Sequence, residues 1–424
     1  MPCHSERYAN KMHPAGIILV AILLALVAYA AWLFSPPGAP KPLVPDEAER
    51  ELIKNVPPDN RSGNDVETFT ALFPFVDRMV EDIGKAHSYV HISFFKFEDD
   101  PVGRRLMNLM AQKASEGVEV RLLVDEVVNK GRKGFYREME ELGIKTRLFS
   151  PMHIPFLKKS DNYRYHRKIV AIDGQVAYIG GMNIAQRYGT GLSWGCWRDT
   201  FIRMDGPAAA QCSLAFARDW AHKGGDLLSE ARYYPVPLKK GAIDIDIVCS
   251  GPRGEGPEVM RRLCSMIDSS ERYFWIESPY LIPTPEVRDS LFRAAGRGVD
   301  VRILIPPRGD HGILTPLATS AYVAEFLEAG VKVARYNQGY MHSKTAVCDD
   351  HLVTVGSTNI DPRSYLLDYE INAFMDDTLY ASQMKAIFED DESVSTYIDK
   401  ETWARRSLLQ RAGEAFAKVF SSEL

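Results

Sequence analysis

The chain has 424 residues, 46% hydrophobic and 25% charged, with a formal net charge of −5. That is a globular composition with room for two to three domains of about 150 residues, and its sign argues against holding polynucleotides by bulk charge. The six cysteines, Cys3, Cys196, Cys212, Cys249, Cys264 and Cys348, form no CxxC or finger-like spacing, so neither a zinc site nor a disulfide framework is expected.

From the N-terminus, the first feature is Ala15 to Phe34, AGIILVAILLALVAYAAWLF, which carries no charge. It has the length of a hydrocarbon core and places Tyr29 and Trp32 where interfacial aromatics sit. Residues 1–35 are therefore expected to be a single transmembrane anchor. Ala28-Tyr29-Ala30 also fits a small-x-small cleavage site, the competing reading being a signal peptide, although the apolar run is long for one. Basic residues stand on both sides, so charge does not fix the orientation. Residues 36–65 read as a proline-rich and then acidic spacer.

Beyond the spacer, strand-length apolar runs alternate with helical patterns, an α/β reading with parallel pairing. The pattern occurs twice. GVEVRLLV (Gly117 to Val124) answers GVDVRILI (Gly298 to Ile305), and GIKTRLF (Gly143 to Phe149) answers GVKVARY (Gly330 to Tyr336). A period of roughly 180 residues is too long for a solenoid and points to a duplicated domain. The expected halves are residues 66–232 and 241–424, joined near Tyr233–Gly241 and packed about a pseudo-twofold axis. The second half ends in a helical pattern of Leu408, Leu409, Ala412, Phe416, Val419 and Phe420, expected to dock on the domain by that apolar face, with a membrane-surface helix as the alternative.

The polar residues repeat too. NYRYHRKIVAIDGQVAYIGGMN (Asn162 to Asn183) and GYMHSKTAVCDDHLVTVGSTN (Gly339 to Asn359) share the spacing HxKxxxxD followed by GGxN or GSxN. On an extended strand, His166 and Lys168, like His342 and Lys344, would point to one face and Arg167 or Ser343 to the other. Asn183 and Asn359 follow small-residue turns that allow close backbone approach to a ligand. Two imidazoles, two ammonium groups and two carboxamides meeting at the seam suit a phosphodiester: one neutral histidine attacks phosphorus, and the other protonates the leaving alkoxide and then deprotonates the incoming alcohol. Lysines fill the charge-stabilising role, so no metal or other cofactor is expected. Asp199 and Glu370 are candidates to hold the second imidazole nitrogens, whereas Asp173 and Asp349 read as structural residues at strand ends. Between the fourth strand and the first motif, Phe156 and Leu157 beside Lys158 and Lys159 form a candidate membrane-contact loop.

Together these motifs resemble the phospholipase D superfamily. Within it, YRYHRKIVAIDG, WRDTFIRMDGP and GSTNIDPRSYLLDYEIN are similar to the bacterial cardiolipin synthases. The resemblance covers residues 66 to 378 and implies two α/β/α halves, a covalent phosphohistidine without metal, and phosphatidyl transfer between two phosphatidylglycerol molecules with release of glycerol. It also implies the bacterial inner or plasma membrane as the location and a phospholipid, not a nucleic acid, as the partner. Either histidine fits as nucleophile; precedent in the superfamily favours His166. A hydrolytic phospholipase D releasing phosphatidic acid, and less so a nuclease of the same superfamily, are the alternatives. Tyr165 and Asp368 stand where those synthases usually have Asn, departures expected to bear on acceptor choice.

Overall fold

The computed structural model describes residues 25, 28, 29, 32, 41–149, 159–309 and 314–419. The anchor expected over Ala15–Phe34 lies almost wholly outside these, and among the described residues no helix is long and apolar enough to cross a membrane. Phe156, Leu157 and Lys158 also fall outside them, while Lys159 opens a short 3-10 turn ending at Asn162.

In chain order the first half supplies β1 (Asp65–Phe69), β2 (Tyr89–Phe94), β3 (Glu119–Asp125), β4 (Lys145–Phe149), β5 (Arg164–Tyr165), β6 (Ile169–Ile172), β7 (Val176–Gly180), β8 (Cys196–Arg198) and β9 (Phe201–Asp205). The second supplies β10 (Ile245–Ser250), β11 (Tyr273–Glu277), β12 (Asp300–Ile305), β13 (Lys332–Tyr336), β14 (Gly339–Met341), β15 (Thr345–Cys348), β16 (Leu352–Gly356), β17 (Asp368–Asp376) and β18 (Ser395–Tyr397). One sheet runs β1-β9-β7-β6-β2-β3-β4. The other repeats that order as β10-β17-β16-β15-β11-β12-β13 and adds β18 at its edge. The duplication read in the sequence is thus a duplication of topology.

Pairing is mixed, a correction to the expected parallel sheets. Along the two main strand orders only β2-β3-β4 and β11-β12-β13 are parallel. The motif strands form antiparallel hairpins, β6 with β7 and β15 with β16, because their connections are far shorter than the dozen or more residues a parallel crossover needs. Where crossovers do occur, Gly117, Gly143, Gly298 and Gly330 sit at φ of 89°, 88°, 89° and 84°. Each closes a helix in the left-handed conformation glycine adopts without strain and releases the chain into a buried strand.

Three apolar clusters, with a fourth around Phe149, Tyr165 and Tyr369, hold the halves together. Two lie under the outer helices, one for each half. The third joins the inner faces of both sheets: Ile169, Ile179 and Ile202 meet Val347, Val355 and Ile371 around the helices Ala208–His222 and Thr378–Ser393. The halves therefore share one continuous interior, and the seam between them is as dry as either core.

Asp173 and Asp349 clamp each motif hairpin to the neighbouring strand. Asp173 accepts from the backbone N–H groups of His87, Ser88 and Tyr89 at 2.7, 2.9 and 2.7 Å. Asp349 does the same for Glu271, Arg272 and Tyr273 at 2.7, 2.9 and 2.8 Å. Both residues have positive φ, 49° and 52°, as the first position of a tight hairpin turn demands. Asp173→Ala is expected to lower stability by about 2 kcal/mol, since it leaves several strand-end donors without their acceptor. Urea denaturation checks this, and Asp173→Asn, which keeps an amide oxygen, should recover part of the loss.

Candidate active site

The histidine motifs are not within strands, as the sequence suggested, but between two strands that belong to different partners. β5 leaves its own half to pair in parallel with β17 of the other, and the N–H of His166 continues that ladder by donating to Tyr369 O at 3.0 Å. In the second copy β14 pairs with β8, and the N–H of His342 donates to Arg198 O at 2.7 Å. Each His-x-Lys segment then crosses into its own sheet through β6 or β15. The backbone of each half is stitched to the other at the candidate catalytic histidine.

The carboxylates are exchanged as well. Asp199 and Glu370 follow His166 and His342 respectively along the chain, but each serves the histidine of the opposite half. Nδ1 of His166 lies 2.8 Å from Glu370 Oε1, and Nδ1 of His342 lies 2.6 Å from Asp199 Oδ2. Both acids are essentially fully buried. A carboxylate on Nδ1 fixes the tautomer that leaves Nε2 bearing the lone pair for attack.

Around them, Lys168 Nζ donates to His166 O at 2.5 Å, and Lys344 Nζ donates likewise to His342 O. The Phe95 ring stands edge-on to His166 with centroids 4.9 Å apart, and Trp197 lies 5.0 Å from His342. Asn183 Oδ1 accepts from the Lys96 N–H at 3.1 Å, while the buried Asn359 Oδ1 has no partner among the described residues. The glycine turn expected to admit a ligand admits a carboxylate instead: a Cβ on Gly181 would come within 2.1 Å of Asp199 Oδ1. At the corresponding place Ser357 donates its hydroxyl to Glu370 Oε2.

The electrostatics break the symmetry. Burial, together with Lys168, Lys344 and His342, holds His166 well below its ordinary value, so its imidazole is neutral. Burial pushes Glu370 up to about 7 against the pull of Lys168 and Ser357. Burial acts on Asp199 in the same sense, but His342 and Lys344 outweigh it and keep that carboxyl below its usual range. Burial also brings Lys168 down to about 7. His342 therefore faces a firm anion and His166 a carboxyl that titrates near neutrality.

Sequence reading missed the arginines that hold these acids. Arg167 is wholly buried. It donates to both Asp219 oxygens at 2.7 and 2.8 Å and to Glu370 O at 3.1 Å. The second copy has Ser343 there, and the guanidinium comes instead from Arg198, which donates to Asp391 Oδ2 at 2.8 Å and to Asp199 O at 2.8 Å. An arginine inside a catalytic motif was the available signal for the first; nothing marked the second. Tyr165 turns away from the histidines to donate to Asp219 Oδ2 at 2.9 Å and pack on Phe149. Its side chain is thus part of the core. Asp368 is buried near Arg363, at 3.3 Å, and burial raises it to about 8.

Two histidines with opposed carboxylates on a duplicated α/β scaffold define a phospholipase D-like site. The family model described as "Cardiolipin synthase, PLD-like domain" matches residues 79–220 and 263–392, and the chain belongs to that family. It is 38% identical over 364 residues to a cardiolipin synthase of Staphylococcus aureus, covering 85% of this chain and 74% of that one. It is 35% identical over 362 residues to a cardiolipin synthase of Listeria innocua, covering 84% and 75%. Among solved structures, a phosphatidylserine synthase of Haemophilus influenzae superposes with a TM-score of 0.66 at 14% identity, over 93% of this chain and 98% of that one. That likeness establishes the shared fold.

A pH dependence follows from Glu370, whose value rises from 4.5 to about 7 on folding. Between those limits the folded chain keeps a proton that the unfolded chain has released. This group's contribution to stability is complete below pH 4.5 and is lost as pH rises through 7. Urea midpoints at pH 5 and pH 8 should fall less in Glu370→Gln than in the unsubstituted chain.

Proposed function

We propose that the chain is a membrane-anchored phosphatidyltransferase that makes cardiolipin from two molecules of phosphatidylglycerol and releases glycerol. The observation that carries the chemistry is the reciprocal pairing of His166 with Glu370 and of His342 with Asp199. The kinship with cardiolipin synthases supports the lipid, and the uncharged stretch Ala15–Phe34 supports the anchor.

We assign the roles of the two imidazoles from the carboxyls they face, Glu370 lifted to about 7 and Asp199 held below its usual range. Neutral His166 attacks the phosphorus of the first phosphatidylglycerol through Nε2. The bond from phosphorus to the glycerol oxygen breaks, and protonated His342, stabilised by the anionic Asp199, gives its Nε2 proton to that oxygen. Glycerol leaves, and a phosphatidyl group remains on His166. His342, now neutral, takes the proton from a hydroxyl of the second phosphatidylglycerol as that oxygen attacks phosphorus and His166 departs. Lys168 and Lys344 stand beside the non-bridging oxygens, and Asn183 and Asn359 supply neutral donors where negative charge grows. Splitting one displacement into two lets a single pair of imidazoles serve both alcohols.

Purified protein incubated with phosphatidylglycerol vesicles is expected to yield cardiolipin and glycerol in equal amounts. Phosphatidic acid in their place would make water the acceptor and the enzyme a hydrolase. Denaturing the protein during turnover of an acyl-labelled phosphatidylglycerol should capture an acid-labile adduct that His166→Ala abolishes, with turnover down at least about a thousandfold. An adduct that survives His166→Ala and disappears in His342→Ala would reverse the assignment.

A further inference from the structure

The C-terminal helix Leu408–Val419 docks on the second half by its polar side, not by the apolar side that the sequence pattern suggested. Glu414 is buried with Oε2 3.1 Å from the Arg406 guanidinium, and Ala417 is fully buried. Lys418 reaches Glu325 and lies 4.7 Å over the Tyr322 ring. The opposite side is exposed among the described residues: Leu408 is 82% exposed, Leu409 84% and Val419 75%. With Ala412 these residues fall within a single arc of about 100° on the helix, the width of a face built for burial.

The position of this stripe links it to the His342 side of the candidate site. Gly413 lies over Leu317, and Lys418 beside Tyr322 and Glu325, so the two helices run side by side in the same direction. Leu408 and Leu409 consequently stand level with the start of the helix Leu314–Glu328, at the end of the sheet where β12 finishes and the His342 motif enters β15. From Arg308 on that rim, whose guanidinium stacks 4.0 Å over Trp194, an aromatic wall of Trp194, Tyr340 and Trp197 leads to His342 with successive centroid distances of 6.5, 4.9 and 5.0 Å.

We propose that this stripe is an interfacial docking surface for an acidic phospholipid bilayer, and that it seats the rim of the cleft on the surface that supplies its substrate. Arg405 and Arg411 are exposed and flank the stripe. An apolar arc bordered by exposed cations matches acyl chains beneath anionic head groups. Two copies meeting through the same face would instead bring these arginines towards one another. The proposal rests on the lipid substrate inferred above.

The test uses the full chain reconstituted into phosphatidylglycerol vesicles. Leu409→Trp adds an emitter to the stripe. Leu379→Trp adds one at a 71% exposed position just past the far end of β17, away from the histidines. With acyl-brominated phosphatidylglycerol the added emission of Leu409→Trp should fall by at least half, and that of Leu379→Trp should not change. In parallel, the triple variant Leu408→Ser, Leu409→Ser, Val419→Ser should convert vesicle phosphatidylglycerol about tenfold more slowly and monomeric dihexanoyl phosphatidylglycerol at the unsubstituted rate. Unquenched emission at position 409, equal losses on both substrates, or a dimer that the triple variant dissociates would each overturn the proposal. If the unsubstituted chain makes cardiolipin from neither substrate, the assigned reaction fails, while the quenching still decides the docking.

Discussion

The structure depends on an exchange: each half holds the other's histidine with a buried carboxylate. Neither half contains a complete imidazole-acid pair, and a buried carboxylate or imidazole nitrogen that lost its partner would stand unsatisfied in a dry seam at a cost of several kcal/mol. The halves therefore cannot slide or rotate without breaking both pairs. The short cross-half ladders β5-β17 and β14-β8 and the shared central core act in the same direction. The orientation of the candidate catalytic groups is set by the same contacts that set the fold, an arrangement suited to the narrow geometric limits that catalysis needs.

Within this symmetric frame the two copies have diverged by compensation. Each active-site acid has its own backbone carbonyl held by a buried arginine, itself neutralised by an aspartate on one of the two inner helices. In one case that arginine is the middle residue of the histidine motif, Arg167, and in the other it is Arg198 on the facing strand. Asp replaces Glu, and Gly181 stands where the other copy has Ser357. These small differences leave Asp199 more strongly ionised than Glu370. A site with twofold geometry thereby faces its two histidines with unlike carboxyls, an asymmetry that suits a reaction with an attacking step and a proton-transfer step.

Much of this was legible in the sequence because it is local. The repeated motif spacing, the glycines that end helices, and the Asp at each hairpin turn are short-range signals, and each appears in the structure at the residue the pattern indicated. The two acids could be nominated because a histidine nucleophile needs an acceptor, but their exchange between halves depends on packing that no local pattern encodes. The same limit explains the other surprises. Antiparallel motif strands follow from connection length, the inward turn of Tyr165 from Asp219 lying beneath it, and the outward apolar face of the last helix from a polar contact between Glu414 and Arg406. For Tyr165 and the last helix a specific polar partner overrode the local preference.

His166 and Glu370 are 204 residues apart in the chain. During synthesis at about 5 to 20 residues per second, the first histidine emerges roughly 10 to 40 s before the acid that orients it. For that interval the nascent polypeptide carries His166 without the carboxylate that holds its Nδ1. The imidazole–acid pair cannot form before residue 370 has emerged, a timing control written into connectivity alone.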